Sequence, residues 1–87
     1  MPKYRKKPVE IEAIQWTGTN TDEILAFCFT KADVRAPIGD TTTRIIIIST
    51  LEGEMRADPK DWIIRGIKDE FYPCKPDIFA ATYELVE

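Results

Sequence analysis

The sequence contains no histidine, which removes several classes of catalytic and metal site at once. Nucleophilic systems that pair serine or cysteine with histidine need the imidazole as general base, so they are excluded. Zinc sites with histidine ligands are excluded as well. The only two cysteines, Cys28 and Cys74, form no CxxC pair that could hold a structural zinc. We therefore expect no metal and no catalytic residue, and we expect both cysteines to be reduced packing residues.

Long apolar runs and glycine-rich loops are also lacking. The run at residues 45–48, like every other apolar run, is far shorter than the roughly 20 residues that a membrane span requires. The basic N-terminus is followed by an alternating segment and not by an apolar secretory core, which predicts a cytoplasmic protein without a membrane segment. The four glycines are isolated, so no phosphate-binding loop and no cofactor are expected.

The composition that remains is that of one small folded domain. Hydrophobic residues make up 44% of the 87 residues and charged residues 31%, proportions typical of globular proteins. We predict a single domain over residues 1–87, with residues 1–7 as a basic N-terminal arm. The net charge of −3 argues against general nucleic-acid binding, because such proteins neutralise several phosphates with a basic face.

The apolar pattern predicts an α+β fold: a mainly antiparallel, curved sheet or partial barrel of about five or six strands with two short helices. The first helix is predicted to begin after Asn20 and to bury Ile24, Leu25, Cys28 and Phe29. The second is predicted to begin at Pro76, since proline favours the first helical position. Strands are predicted at residues 9–16, 44–50, 54–57, 62–65, 70–72 and 83–86, with residues 30–43 as a functional loop. Residues 54–57 and the strand at 62–65 are predicted to be neighbours in one meander.

Two further features are predicted from single positions. The alternation of apolar residues slips by one at Ala13 and Ile14, which predicts that Trp16 lies at a rim of the sheet. Asp58, Pro59, Lys60 and Asp61 predict a β-turn, because proline presets φ at the second position and aspartate favours the first.

Two segments, RKKPVEIEAIQWTG and EGEMRADPKDWIIRGIKDEFYPCKPDIFAATYE, resemble a family of small bacteriophage and prophage proteins. The signature of that family is a Pro-Gly-Asp-(Trp/Tyr)-Ile turn, followed by a glycine and a Glu-Phe-Tyr-Pro-Cys-Lys-Pro-Asp run. Lys60 replaces the glycine of the turn, which predicts a type I turn in place of type II. The resemblance implies a phage accessory protein in the host bacterial cytoplasm, a class that often antagonises host defence.

Aromatic rings and cations alternate in the C-terminal segment. Rings stack on nucleobases, while Arg and Lys neutralise phosphates. Lys75 also precedes a predicted helix whose free N–H groups favour anions. The predicted ligand-binding residues are Trp62, Arg65, Tyr72, Lys75, Lys68 and Trp16, whereas Phe71 and Phe79 are predicted to be core.

Three functions are compatible with these residues. In the first, the protein sequesters a small anionic, nucleotide-like host signal, in a pocket at a homo-oligomer interface because one small domain encloses little volume. In the second, its acidic surface binds and inhibits a basic host protein. The third is an enzyme that acts on a phosphodiester. Separately, Lys75 could favour a Cys74 thiolate and the aspartates could supply a carboxylate pair, but packing, turns and helix capping explain these residues more simply.

Overall fold

The computed structural model describes residues 2–4, 9–36, 38–39 and 42–86. Most of the predicted basic arm, at residues 1 and 5–7, lies outside these ranges. The described residues form two α-helices and six strands. In chain order the elements are β1 (Glu12–Gln15), α1 (Thr21–Cys28), a 3₁₀ helix (Phe29–Lys31), β2 (Ala32–Arg35), β3 (Ile45–Thr50), β4 (Gly53–Ala57), β5 (Trp62–Arg65), β6 (Phe71–Cys74) and α2 (Pro76–Thr82). The predicted α+β class is confirmed.

The strands belong to two three-stranded antiparallel sheets, with orders β1-β5-β6 and β2-β3-β4, and the described strands do not close into a barrel. The predicted pairing of β4 with β5 is wrong. The turn that joins these strands is bound to the end of β1: Trp16 donates its backbone N–H to the Asp61 carbonyl (2.8 Å), and the Gln15 side chain donates to the Lys60 carbonyl (3.0 Å). These bonds place β5 against β1 and away from β4.

The core lies between the two sheets and α1. Its fully buried side chains come from β3 and β5, from α1, and from the residue after β1: Ile46, Ile48, Ile63, Ile24, Cys28 and Trp16. The run of isoleucines forms the central strand of its sheet, as predicted, because β-branched side chains pack well on both faces of a covered strand. Burial of Ile24 and Cys28 confirms the predicted inner face of α1 in part, since Leu25 is only partly buried and Phe29 is exposed.

Two predicted elements are wrong. Ala32–Arg35, inside the predicted loop at residues 30–43, is a strand that pairs with β3. Its sequence carries little strand signal, so its pairing depends on the neighbouring isoleucines. Residues 83–86, predicted as a strand, have no regular structure. Residues 37, 40 and 41 of the predicted loop lie outside the described residues.

The turn at residues 58–61 is the place where a lysine replaces the glycine of the phage signature. Asp61 donates its backbone N–H to the Asp58 carbonyl (3.0 Å), which closes the predicted β-turn. Lys60 has φ of 82°. A positive φ at the third position is that of a type II turn, so the predicted type I geometry is wrong. Two hydrogen bonds hold Lys60 in this conformation despite its steric cost. The Gln15 side chain donates to the Lys60 carbonyl, and the Lys60 N–H donates to the Trp16 carbonyl.

Lys60→Gly is expected to stabilise the domain by about 1 kcal/mol. The left-handed conformation costs a non-glycine residue about 1 to 2 kcal/mol, and the greater entropy of glycine in the unfolded chain offsets part of the gain. For a domain of this size the melting temperature rises by roughly 4 to 8 °C. Lys60→Ala is the matched control, because it removes the same charge and keeps the Cβ. An equal gain in both variants would assign the effect to charge and not to the backbone.

Candidate functional site

The structure does not bring the six predicted binding residues together. Strand β5 alternates, and its register with β6 places Trp62 and Tyr72 on one face and Arg65 on the other. Lys75 follows β6, Lys68 lies in the turn between β5 and β6, and Trp16 is in the core. The predicted residues therefore belong to separate environments.

Trp62 and Tyr72 hold α2 against the sheet. The Trp62 ring stacks on Phe79, with centroids 4.1 Å apart and planes within 4° of parallel. Phe79 also contacts Tyr83, at 5.1 Å between centroids. Burial raises the pKa of Tyr72 to about 12, and its hydrogen bond with Tyr83 acts in the same direction. Each of these rings has an aromatic or hydrogen-bonding partner, which assigns this face to the packing of α2.

Lys75 is held by the turn that precedes β5. Its amine donates to the Asp61 carboxylate at 2.8 Å and to Asp58 at 3.3 Å. These bonds raise the pKa of Lys75, with Asp61 the larger cause. The Asp61 side chain is only 4% exposed, and it also accepts the Asp58 backbone N–H at 2.9 Å. An incoming anion that drew the amine away would leave a buried carboxylate without its cation, so Lys75 is a structural residue.

Asp58 extends this pair into a network. The Arg56 guanidinium donates to it at 2.7 Å, and this bond is the main cause that lowers the pKa of the Asp58 carboxyl below its usual value. Lys75 contributes in the same direction. The network borders a groove of about 320 Å³, here called the Met55 groove, which is lined by Met55, Arg56, Asp61, Pro73, Cys74, Lys75 and Ile78.

Cys74 does not have the environment of a nucleophile. Burial raises the pKa of its thiol, and the negative charges of Asp61 and Asp77 act in the same direction. A reactive thiolate needs the opposite shift, which a neighbouring cation supplies. The Lys75 amine is bonded to Asp61, so the surroundings of Cys74 do not favour its thiolate.

Trp16 does not lie at a rim. Its side chain is fully buried, and its indole N–H donates to the Arg44 carbonyl at 3.3 Å. Strand β1 ends at Gln15, and the chain turns inward there, which brings the ring between the two sheets. The prediction from the slipped alternation is wrong, because a change of phase also occurs where a strand ends and its next side chain enters the core.

Arg65 lies in a cleft of about 190 Å³, here called the Arg65 cleft. The residues that line it come from the end of α1, the 3₁₀ helix and the β5–β6 region: Cys28, Phe29, Thr30, Lys31, Arg65, Asp69 and Phe71. The Arg65 guanidinium bonds to the Asp69 carboxylate at 2.8 and 2.9 Å, and lies 3.6 Å from Glu12. Lys31 donates to the Asp69 carbonyl at 3.2 Å. Asp69 thus draws two cations to one cleft.

Aromatic side chains surround these cations. The Lys31 amine lies 5.6 Å from the centroid of the Phe71 ring, and Phe71 meets Phe27 edge to face at 5.5 Å. Phe29 is 71% exposed and has φ of 55°, while Asp69 has φ of 60°. Two of the three non-glycine residues with positive φ in the described chain thus line one cleft. Residues held in rare backbone conformations concentrate at ligand sites, because the surrounding structure must enforce them.

Phe29 and Lys31 were missed from the sequence. Phe29 was predicted to be buried because helical spacing places it beside Cys28, but α1 ends at Cys28 and the ring leaves the core. No sequence signal predicts a positive φ at phenylalanine, where it is rare. Lys31 lies in the segment predicted to be a loop, where no binding residue was predicted.

Lys68 is exposed at the edge of this region. Its backbone N–H donates to the Glu70 carboxylate at 2.8 Å, and its side chain does not line the Arg65 cleft. Among the described residues, no three His, Cys, Asp or Glu side chains are grouped so as to hold a metal ion. No helix in the same part of the chain is long and apolar enough to cross a membrane.

The Arg65 cleft therefore combines two converging cations, exposed and buried aromatic rings, and backbone held in rare conformations. Comparison with models of known protein families, with curated proteins and with solved structures finds no match to the chain. The resemblance to phage proteins stays a prediction.

Proposed function

We propose that the protein is a non-catalytic binding module that holds a small anionic, nucleotide-like ligand at the Arg65 cleft. The observation that carries the proposal is the convergence of Arg65 and Lys31 on Asp69 beside the exposed Phe29 ring. Arg offers a planar fork of donors that suits a phosphate, and lysine adds a point charge. An exposed ring provides a face on which a base can stack.

The ion pairs of Arg65 do not prevent this binding. Its carboxylate partners, Glu12 and Asp69, are 71% and 72% exposed. Exposed pairs contribute about 0 to 1 kcal/mol, so a phosphate that replaces either carboxylate loses little. Lys75 differs, because its partner Asp61 is buried. The proposed site therefore includes Arg65, whose carboxylate partners are exposed, and not Lys75, whose partner is buried.

The size of the cleft limits what it can enclose. Pockets for small molecules usually measure about 300 to 1,000 Å³. At about 190 Å³, the Arg65 cleft has room for the anionic group of a ligand but not for a whole nucleotide. The phosphate would occupy the cleft while the base lies outside it against Phe29. A second copy of the chain could cover the exposed part of such a ligand.

The resemblance to phage proteins supports a role in the cytoplasm of an infected bacterium. A binding module without catalytic groups acts by retention, so it lowers the free concentration of its ligand in proportion to its own abundance. A host signal made in small amounts is the kind of molecule that such a protein can remove. Sequestration of a defence signal is the biological form of this proposal.

Arg65→Ala and Lys31→Ala are each expected to weaken the ligand by about 1.5 to 3 kcal/mol, the value of a hydrogen bond to a charged group. The test is isothermal titration calorimetry of the intact protein with pyrophosphate, cyclic dinucleotides and ADP-ribose derivatives. Arg65→Lys keeps the charge but loses the fork, so it should recover only part of the affinity. Mass spectrometry of small molecules that co-purify with the protein identifies the natural ligand.

Lys68→Ala is the matched control, since it removes one nearby positive charge outside the cleft. It should bind the ligand like the wild-type protein. If it weakens binding as much as Lys31→Ala, the ligand responds to overall charge and the cleft is not its site. Absence of heat with every ligand, from protein whose melting curve shows a folded domain, would refute the proposal.

A protein partner is the second candidate, favoured by the charge of the chain. Residues 9–87 contain eight Lys or Arg against fifteen Asp or Glu, a net charge of −7. Such an excess steers a protein toward a basic partner. Pull-down from bacterial lysate distinguishes this candidate: a stoichiometric protein that dissociates at high salt supports it. Turnover of the ligand in place of retention would instead indicate a phosphodiester enzyme.

A further inference from the structure

Strand β4 is the edge of its sheet and exposes most of its length. Among the described strands it pairs only with β3, and every one of its residues except Ala57 is exposed. An edge strand presents N–H and C=O groups that can pair with another chain, and proteins protect such edges with proline, bulges or covering elements. Strand β6, also at an edge, contains Pro73, which has no N–H to offer. Strand β4 contains no proline.

The sequence of β4 is complementary to itself when read antiparallel. Its three central residues are Glu54, Met55 and Arg56. If two copies pair around a two-fold axis at Met55, Glu54 of each copy lies opposite Arg56 of the other, and the two Met55 residues are neighbours. Cross-strand pairs of opposite charge and of apolar side chains both stabilise a sheet. A two-fold axis requires this reciprocity, because the same surface patch serves both copies.

Met55, the apolar residue at the centre of β4, lines the Met55 groove. Met55 is 42% exposed and pairs across the sheet with Ile48, so its side chain is on the core face of β4. Ile78, which also lines the groove, is 56% exposed. A second Met55 on the same face would lie next to the groove and cover these side chains. A second copy therefore buries apolar surface that one copy leaves in water.

Glu54 and Arg56, the charged residues of β4, can exchange their present ion-pair partners for those of a second copy. Arg56 is bonded to Asp58 at 2.7 Å, and Glu54 lies 3.6 Å from Arg35, but the Arg56 and Glu54 side chains are 53% and 62% exposed. Exposed pairs of this kind exchange at little cost. Strand β2 has a comparable order of charges in Asp33 and Arg35, but these two bond to each other at 3.3 Å, and Val34 between them packs on the core. Among the edge strands of the described residues, only β4 combines reversed charges with an exposed apolar centre.

We infer that two copies of the chain associate through antiparallel pairing of their β4 strands, joining two three-stranded sheets into one of six strands. The pairing is centred on Met55, with Glu54 opposite Arg56 of the second copy on both sides of the axis. This inference is independent of the proposed ligand, because no residue that lines the Arg65 cleft lies on β4.

Sedimentation equilibrium of the full chain tests this inference. The wild-type protein is expected to approach twice the monomer mass of 10.0 kDa as its concentration rises. Glu54→Arg places two arginines opposite each other at both sites, so it should weaken the dimer at least tenfold. Arg56→Glu should do the same by opposing two glutamates. The double variant E54R/R56E restores opposite charges and should restore the dimer.

Asp33→Arg is the matched control, because it makes the same change of charge on the other edge of the sheet and should leave the dimer intact. Circular dichroism of each variant checks that the domain is folded. A wild-type protein that stays monomeric at the highest soluble concentration overturns the inference. So does a dimer that E54R and R56E leave unchanged, or a double variant that remains as weak as the single ones.

Discussion

Trp16→Ala is expected to lower the free energy of unfolding by about 3 to 5 kcal/mol, the usual cost of removing a large aromatic side chain from a core. The ring is fully buried in the cluster that includes Ile24, Ile46 and Ile63. A domain of this length has a total stability of about 4 to 13 kcal/mol. The variant is therefore expected to lose a large share of the stability of the domain, as measured by circular dichroism and urea titration.

Trp16→Phe is the control for this prediction. It keeps a ring in the core and loses only the outer part of the indole and its bond to the Arg44 carbonyl, so it should remain folded with reduced stability. Trp62→Ala provides a second comparison. Its partner ring belongs to α2, so its loss should loosen the C-terminal helix more than the core. A folded Trp16→Ala protein that had lost only ligand binding would reverse this assignment and make Trp16 part of a site.

The second large effect is a loss of stability at alkaline pH. Burial raises the pKa of the Cys28 thiol from about 9 to about 11. Between these values the unfolded chain has lost its proton while the folded domain keeps it, so the free energy of unfolding falls as the pH rises. Cys28 also lines the Arg65 cleft together with polar residues, so its surroundings are not wholly apolar. We therefore expect a loss of about 2 kcal/mol from pH 9 to pH 11, less than the full shift would give.

Urea titration at several pH values from 8 to 11 measures this loss. Cys28→Ala is less stable at every pH because it leaves a cavity, but its decline between pH 9 and 10 should be shallower than that of the wild-type protein. The decline that remains there comes from Cys74, whose thiol pKa is also raised. Above pH 10 a decline remains in both proteins, since the pKa of Tyr72 is about 12 and that of Lys75 is also raised. An unchanged decline between pH 9 and 10 in Cys28→Ala would show that the thiol is not its source.

Two charged residues that look alike in the sequence differ in the burial of their partners. Arg65 and Lys75 both lie in the C-terminal segment beside aromatic residues. The carboxylates that bind Arg65 are exposed, whereas Asp61, which binds Lys75, is buried. Since the cost of exchanging a partner follows from its burial, Arg65 and not Lys75 is the residue that we propose for an external anion.

The sequence by itself determined the elements whose signals are local. The isoleucine run at residues 45–48, the reversal at Gly53, the strand Trp62–Arg65 and the proline that begins α2 were all predictable. Each depends on a preference of neighbouring residues: β-branched side chains for strands, glycine for positive φ, and proline for the first turn of a helix. The absence of histidine likewise excluded whole classes of chemistry without any structure.

Only the tertiary structure decided which strands pair and which side chains meet. Strand β2 forms because Ile45 to Ile48 lie beside it, and β5 leaves β4 because its turn is bound to Gln15 and Trp16. The Arg65 cleft joins Lys31 to Arg65 and Asp69, which are distant in the chain, and Phe29 enters it through a backbone conformation that its residue type disfavours. Contacts between distant residues depend on the packing of the whole domain, and a local pattern carries no information about which distant segment will supply them.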